Sequence, residues 1–223
     1  MRGLAFFSLA IVTLLTACNT PQKSVVALHT TMGDIVVELC DETPLHRDNF
    51  LRLTDEGYFD SLLFHRVIEN FMIQGGDPDS RRAASGEFLG NGGPDYTLPA
   101  EFRFPALFHR RGALAAAREG DAVNPTQASS GSQFYIVWGR TFTDEQLDLM
   151  QERIANRVIF TPEIRDVYKS VGGTPHLDGA YTVFGYVVEG LDVVEAIQQV
   201  ATDGNDRPIE DVRIISAERI KGE

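Results

Sequence analysis

The stretch "FHRVIENFMIQGGDP", Phe64 to Pro78, sets an arginine and a glutamine among side chains that belong in a core. Arg66 follows Phe64 and His65, and Gln74 follows Phe71, Met72 and Ile73. Guanidinium and amide groups are seldom fully buried, because losing water without gaining partners costs several kcal/mol. By spacing alone the stretch is a strand, a turn and a second strand, with Gly75-Gly76 permitting close approach of another backbone. On that reading Arg66 pairs with a carboxylate and Gln74 faces solvent. The alternative is a cleft, with the two polar side chains half-exposed and their apolar neighbours as its walls.

The sequence on either side reads as a β protein. "VVALHTTMGDIVVEL" places two apolar runs around Met32-Gly33-Asp34, a hairpin signal. "TPLHRDNFLRLTDEGY" predicts a helix, with Thr43 as N-cap, Pro44 in its first position, Gly57 as its stop, and Leu45, Phe50, Leu51 and Leu53 on one face. Then come short, glycine-punctuated apolar runs: "SLLFHRVI", "FMIQGG", "GALAAA", "SQFYIVWG" and "YTVFGYVV". Such runs suggest a barrel or a sandwich. "EGLDVVEAIQQV" predicts a second helix and "DVRIISAERI" a last strand.

Residues 143–173 break the pattern. Thr143 with Gln146 has the look of a capping box, followed by Leu147, Met150 and Ile154 at helical spacing. Thr161-Pro162 opens a second helix with Ile164, Val167, Tyr168 and Val171 on one face and glycines at its end. This inserted pair is expected to pack its apolar faces together as a surface excursion, a kind of insertion that barrel rims tolerate. A wall of a binding groove is the other role considered for it.

The 223 residues, 43% hydrophobic and 23% charged, fit one globular domain. A net charge of −12 argues against nucleic acid as partner, since phosphates select basic surfaces. At the N-terminus an apolar run, Leu4 to Leu15, is short for a membrane-spanning helix and closes on "LLTAC". That ending resembles the lipobox of bacterial lipoproteins, which implies a signal peptide over 1–17, lipidation at Cys18, a tether over 18–24 and a domain over 25–223. The alternative is an ordinary secretory signal that contains a cysteine. Asn19, rather than Asp, follows Cys18, so the analogy places the anchor in the outer membrane of a bacterial envelope, facing the periplasm. Contact with the membrane would be through the lipid only. The remaining cysteine, Cys40, reads as a small hydrophobe. Five histidines without ligand spacing give no support for a metal, "SSGSQ" lacks the glycine of a nucleophile elbow, and no nucleotide fingerprint is present.

Four segments then decide the family. "FHRVIENFMIQGGD", "GALAAAR", "SSGSQFYIV" and "LDGAYTVFGYVVEGLDVV" stand in the order and rough spacing of the cyclophilins, the cyclosporin-binding peptidyl-prolyl cis-trans isomerases. The chain resembles that family from about Val25 to Ile220, the insert excepted. The resemblance implies a mainly β fold: a closed antiparallel barrel of about eight strands capped by two α-helices, with the helical pair as an addition. It implies a monomer without cofactor or metal, acting on proline-containing polypeptides. With the export signal, those would be exported proteins whose folding is assisted.

Residue by residue, the resemblance gives Arg66 the catalytic role. Phe71, Met72, Tyr135 and Leu177 would wall the proline pocket, Gln74 would hold the substrate backbone, and Gln133 would orient that edge. Ala117 and Arg118 would border the neighbouring groove, the Arg118 N–H meeting a substrate carbonyl. Three positions depart from the best-known pattern. Arg118 stands where asparagine is common, Tyr181 replaces a histidine at the pocket edge, and His176 stands where a tryptophan binds cyclosporin. Trp138, the only tryptophan, reads as core or barrel rim. A non-catalytic proline-peptide-binding chaperone anchored to the envelope is the alternative function. Retention of Arg66 speaks against it, because binding needs only the apolar walls.

Overall fold

A computed structural model describes residues 23–220; the proposed signal peptide, Cys18 and most of the tether lie outside them. Strands β1 (Ser24–Thr30) and β2 (Gly33–Leu39) form the opening hairpin. Ser24, assigned to the tether from sequence, is already paired with Leu39. The two-residue turn is Thr31-Met32, one position earlier than the glycine signal suggested. The Thr30 hydroxyl both donates to Gly33 O (2.6 Å) and accepts from Met32 N (3.1 Å), which fixes the turn there.

Helix α1 (Pro44–Asp55) follows, with Thr43 at its N-cap but its side chain making no cap. The Thr43 hydroxyl instead turns back to Cys40 O (3.4 Å), and Glu101 Oε2 takes over by accepting from His46 N (3.0 Å). Phe50, Leu51 and Leu53 are buried as expected, whereas Leu45 is exposed on the opposite side. Strands β3 (Arg66–Ile68), β4 (Met72–Gly75), β5 (Thr97–Leu98), β6 (Ala113–Ala116), β7 (Ser129–Ser130) and β8 (Phe134–Val137) are short, as glycine punctuation implies. Helices α2 (Asp144–Arg153) and α3 (Pro162–Ser170) form the insert. Strand β9 (Val183–Glu189), helix α4 (Leu191–Gln198) and strand β10 (Ile214–Ile220) complete the fold.

Eight strands form one antiparallel sheet in the order β10-β1-β2-β9-β6-β8-β4-β3; β5 and β7 pair separately. The sheet closes through the segment before β3 rather than by a long ladder. Ser61 N donates to Ile214 O (2.8 Å), Ile214 N to Leu62 O (2.8 Å), and Phe64 N to Val212 O (2.9 Å). Of "SLLFHRVI", therefore, only the last three residues form a strand, and the first half is the seam.

The side-chain period of two explains why β6 and β8 are buried on both faces. Leu114, Ala116, Phe134 and Ile136 face the barrel core with Phe50, Phe59 and Phe64, and α1 and α4 cover that core with Phe50, Val194 and Ile197. Ala113, Ala115, Tyr135 and Val137 face outward, into a second cluster with Met72 and Val183. Trp138 belongs to the core, with the Arg111 guanidinium 4.1 Å above its ring.

The insert has the caps its sequence announces. Thr143 and Gln146 form the complete capping box, and Thr161 caps α3. Leu147, Ile154, Ile164 and Tyr168 pack together, with Phe142, Val158 and Phe160 filling the space between the helices. Val171 is exposed, because α3 has ended one residue earlier. At the neck, Arg140 N and Gly173 O bond at 3.4 Å and the reverse pair at 3.0 Å, so the excursion leaves and returns at one point.

Candidate active site

Register builds the site. Arg66 on β3 stands opposite Gln74 on β4, Gln74 opposite Tyr135 on β8, and Tyr135 opposite Ala115 on β6, so one row of residues crosses four strands. Outside the barrel this row and its flanks line a cavity of about 330 Å³. Arg66, Phe71, Met72, Gln74, Ala117, Arg118, Tyr135, Leu177 and Tyr181 all border it. Gln133 does not; it borders an adjoining, more polar groove that continues past Ala117 and Arg118.

The polar edge is a relay of amides. Arg66 Nη1 reaches Gln74 Oε1 (3.4 Å), Gln74 Nε2 donates to Gln133 Oε1 (3.0 Å), and Gln133 Nε2 donates to Gly90 O (2.9 Å) and Gly92 O (2.8 Å). Gln133 is buried with donors and acceptor engaged, so it orients Gln74 and the 90–92 backbone. The Arg66 side chain is 42% exposed, and its Nε is 3.4 Å from Asp206 Oδ2. Its hydrogen bonds are both long, which leaves donors for a ligand in the cleft. Asp206 gave no signal in the sequence, 140 residues downstream in a turn.

The departures at Arg118 and Tyr181 are one feature. The Arg118 side chain is nearly buried, with Nε bonded to Ala180 O (2.7 Å) and its guanidinium 4.5 Å from the Tyr181 ring centroid. The arginine thus braces the tyrosine at the pocket edge, while its backbone N–H donates no hydrogen bond among those of the described residues. His176 is exposed and stacks on Phe71, ring centroids 5.6 Å apart.

Behind the pocket lies a buried chain of hydrogen bonds. The Tyr135 hydroxyl is 3.0 Å from His109 Nε2, and His109 Nδ1 is 2.8 Å from Asp178 Oδ1. Asp178 Oδ2 accepts from the Tyr168 hydroxyl at 2.6 Å. A carboxylate only accepts, so His109 Nδ1 carries a proton and donates to Asp178. Burial pushes both phenols well above their usual range, and they remain donors. Tyr168 belongs to α3, so the insert reaches Tyr135 at the cavity wall through this chain. Arg157 adds bonds to Asp178 O (2.9 Å) and His176 O (2.8 Å). No described residue of the insert lines the cavity, however, so it backs the groove and does not wall it.

Sequence reasoning missed the loop over 84–92, which supplies Glu87, Phe88, Leu89, Gly90 and Asn91 to the cavity. A second constellation looks catalytic but is sealed. Ser129 Oγ is 2.9 Å from His46 Nε2, and His46 Nδ1 is 2.8 Å from Glu101, yet all three side chains are buried. Burial also pushes the His46 imidazole down, and the set serves as the cap of α1. Burial pushes the Cys40 thiol up to about 12, consistent with an inert packing role. Among the described residues no cluster of three or more His, Cys, Asp or Glu side chains could hold a metal, and no helix is long and apolar enough to cross a membrane.

Known proteins agree with this architecture. Residues 25–219 match the family described as cyclophilin type peptidyl-prolyl cis-trans isomerase. A peptidyl-prolyl cis-trans isomerase of Arabidopsis thaliana is 33% identical over 190 residues, covering 85% of this chain and 91% of that protein. The crystal structure of a cyclophilin type isomerase of Cryptosporidium parvum superposes with a TM-score of 0.64 at 25% identity, over 90% of this chain and 99% of that one. The same protein in the presence of the dipeptide Ala-Pro gives a TM-score of 0.62 at 25% identity, over 89% and 99%. With the barrel, the row from Arg66 to Ala115 and the cavity all in place, the chain belongs to the cyclophilin-type peptidyl-prolyl cis-trans isomerases.

Proposed function

We propose that this isomerase turns X-Pro bonds of exported proteins at the Arg66 cavity, assisting their folding from a lipid anchor at Cys18. An X-Pro amide resists rotation because nitrogen lends its lone pair to the carbonyl, and the barrier is about 18–20 kcal/mol. In the twisted state the proline nitrogen regains that lone pair. A guanidinium donating to it favours the twisted state over both planar ones, which is differential transition-state binding. Phe71, Met72, Tyr135 and Leu177 hold the pyrrolidine ring; Gln74 and the Arg118 N–H hold the backbone. Proton transfer and covalent bonding have no part in it.

The observation that carries the reading is the half-exposed Arg66 at the rim of an apolar cavity that nine of the residues named from sequence border together. Acceleration of cis-trans exchange in an X-Pro tetrapeptide, followed by exchange NMR, tests it; exchange at the uncatalysed rate would refute it. The cell-envelope location, outer membrane facing the periplasm, is supported by "LLTAC" and Asn19. Cys18→Ser is expected to abolish lipidation and leave the protein unprocessed or released from the outer-membrane fraction. Unchanged mass and fractionation would point to simple secretion. The chain is proposed to act as a monomer, checked by light scattering.

A further inference from the structure

Residues 203–207 form a turn at the outer edge of β3, between Thr202 and Pro208, which face each other across an isolated bridge. The backbone of the turn is satisfied from within. Asp203 N donates to Arg207 O (2.8 Å) and Asp206 N to Asp203 O (3.2 Å), while the Asp203 carboxylate accepts from Asn205 N (2.8 Å) and Arg207 N (3.1 Å). Arg207, 4% exposed, fixes the turn to its surroundings: Nη1 donates to Ala84 O (2.9 Å) and Glu87 O (2.8 Å), and Nη2 to Asp211 (3.0 Å). Finally, Asp206 O accepts from Val67 N (2.8 Å), which staples the turn to the strand that carries Arg66.

The Asp206 side chain takes no part in any of this. Its one hydrogen bond among the described residues is with Arg66 Nε (3.4 Å). Its backbone does not call for a carboxylate either. A φ of +62° lies in the left-handed region, where glycine is easiest and aspartate and asparagine are the usual exceptions. A side chain kept at such a position, with no task inside the turn, points to a task outside it. Across the gap stands Arg66, whose planar guanidinium offers five N–H donors on three nitrogens. Asp206 engages Nε and Gln74 engages Nη1 (3.4 Å), so two different nitrogens are held by two different strands or turns. Two such contacts set the plane of the group, and Nη2 has no partner among the described residues. Without them, a side chain that is 42% exposed would be free to leave the rim for solvent.

We propose that Asp206 is the positioning residue of Arg66: its carboxylate holds Nε so that the free edge of the guanidinium meets the proline nitrogen as the amide twists. Asp206 itself touches neither the substrate nor the reacting bond. A long, half-exposed ion pair adds little to stability, so the contact matters through orientation. Orientation is a large lever, since misplacing a reacting group by about 1 Å can lower a rate about a hundredfold. The proposal rests on the catalytic reading of Arg66 and adds the group that sets its plane, which that reading does not require.

A double-mutant cycle in the full chain tests it, with cis-trans exchange of one X-Pro peptide followed by NMR and the fold checked by circular dichroism. Wild type, Asp206→Ala, Arg66→Ala and the double variant are compared, with Asp206→Asn beside them. Asp206→Ala is expected to lower kcat about fivefold to tenfold with KM within about twofold, because the arginine acts on the twisted state. Asp206→Asn keeps an acceptor and tolerates the left-handed backbone, so it is expected to stay within about threefold of wild type. With Arg66→Ala already present, adding Asp206→Ala is expected to change kcat/KM by less than about 1.5-fold. The Arg66 Nε–H resonance reads the contact without turnover, and its exchange with water is expected to quicken in Asp206→Ala. If Arg66→Ala turns over undiminished, the catalytic reading of Arg66 fails, and faster Nε–H exchange in Asp206→Ala still upholds the positioning. Unchanged kcat in folded Asp206→Ala beside an impaired Arg66→Ala, equal losses from Asp206→Ala in both backgrounds, or unchanged Nε–H exchange would overturn the proposal.

Discussion

At the scale of single residues, the site works by holding polar groups half-satisfied. Arg66 has two long bonds, to Gln74 and Asp206, and both can yield to a substrate. Gln133 is the opposite case, with every bond spent on positioning. Gln133→Leu would leave Gly90 O, Gly92 O and the Gln74 amide without their partner. A fall in kcat/KM of about tenfold is expected, shared between kcat and KM, as befits a residue acting through Gln74. An unchanged kcat/KM would show that the amide relay has no part in binding. Arg118→Ala removes a brace from Tyr181 but keeps the backbone N–H, so KM is expected to rise about two- to threefold with kcat unchanged. Loss of kcat would mean that the side chain reaches the reacting bond. His176 lies against Phe71 and offers less apolar area than an indole. Cyclosporin inhibition is accordingly expected to be weak from lost contact area alone. Titration of turnover with the drug checks this, and tight inhibition would contradict it.

At the scale of elements, the insert is the addition that the resemblance left least explained. Its helices were legible because capping and apolar spacing are local: Thr143 with Gln146 and Thr161 with Pro162 announce themselves within four residues. Its connection to the pocket was not, because Tyr168, Asp178, His109 and Tyr135 meet only in three dimensions. The same division runs through the rest of the chain. Short strands such as "FYIV" were legible from composition, and the row of site residues from four quoted segments. The 84–92 loop is polar and glycine-rich, and its shape is set by Arg207 from 120 residues away. The failed cap at Thr43 has the same cause, since Glu101 reaches α1 from a distant loop. For the insert, Tyr168→Phe leaves one buried oxygen of Asp178 unpaired, which costs about 1–3 kcal/mol in urea unfolding. If the chain positions Tyr135, the same change also raises KM, and it does so less in a Tyr135→Phe background. Equal effects of Tyr168→Phe on KM in both backgrounds would make the insert scaffold alone.

At the scale of the whole molecule, a closed barrel frees its outer face for binding, because the core is already filled by Phe50, Phe59, Phe64 and Phe134 from within. The stability of that barrel carries a signature of the site. Burial, with Arg66 and Arg207 nearby, lowers His65 to about 4 from 6.5, and Asp77 opposes this only in part. The folded state therefore binds fewer protons than the unfolded chain between these values. The stability is fully present above about pH 6.5 and is lost as pH falls, by about 3 kcal/mol on reaching pH 4. His46 adds in the same direction, whereas the surface His29, raised by Asp34 and Glu218, works against it weakly. Urea unfolding as a function of pH is expected to show a shallower acid limb for His65→Leu, and parallel limbs would refute the assignment. The central claim is that a single guanidinium at the cavity rim stabilises the twisted X-Pro bond. Its most direct test is kcat/KM for cis-trans exchange of one X-Pro peptide, measured for wild type and Arg66→Ala, with circular dichroism to confirm the fold. The expected result is a loss of one to three orders of magnitude, about 1.4–4 kcal/mol of transition-state stabilisation, in a variant that stays folded. Undiminished turnover by folded Arg66→Ala would contradict the account.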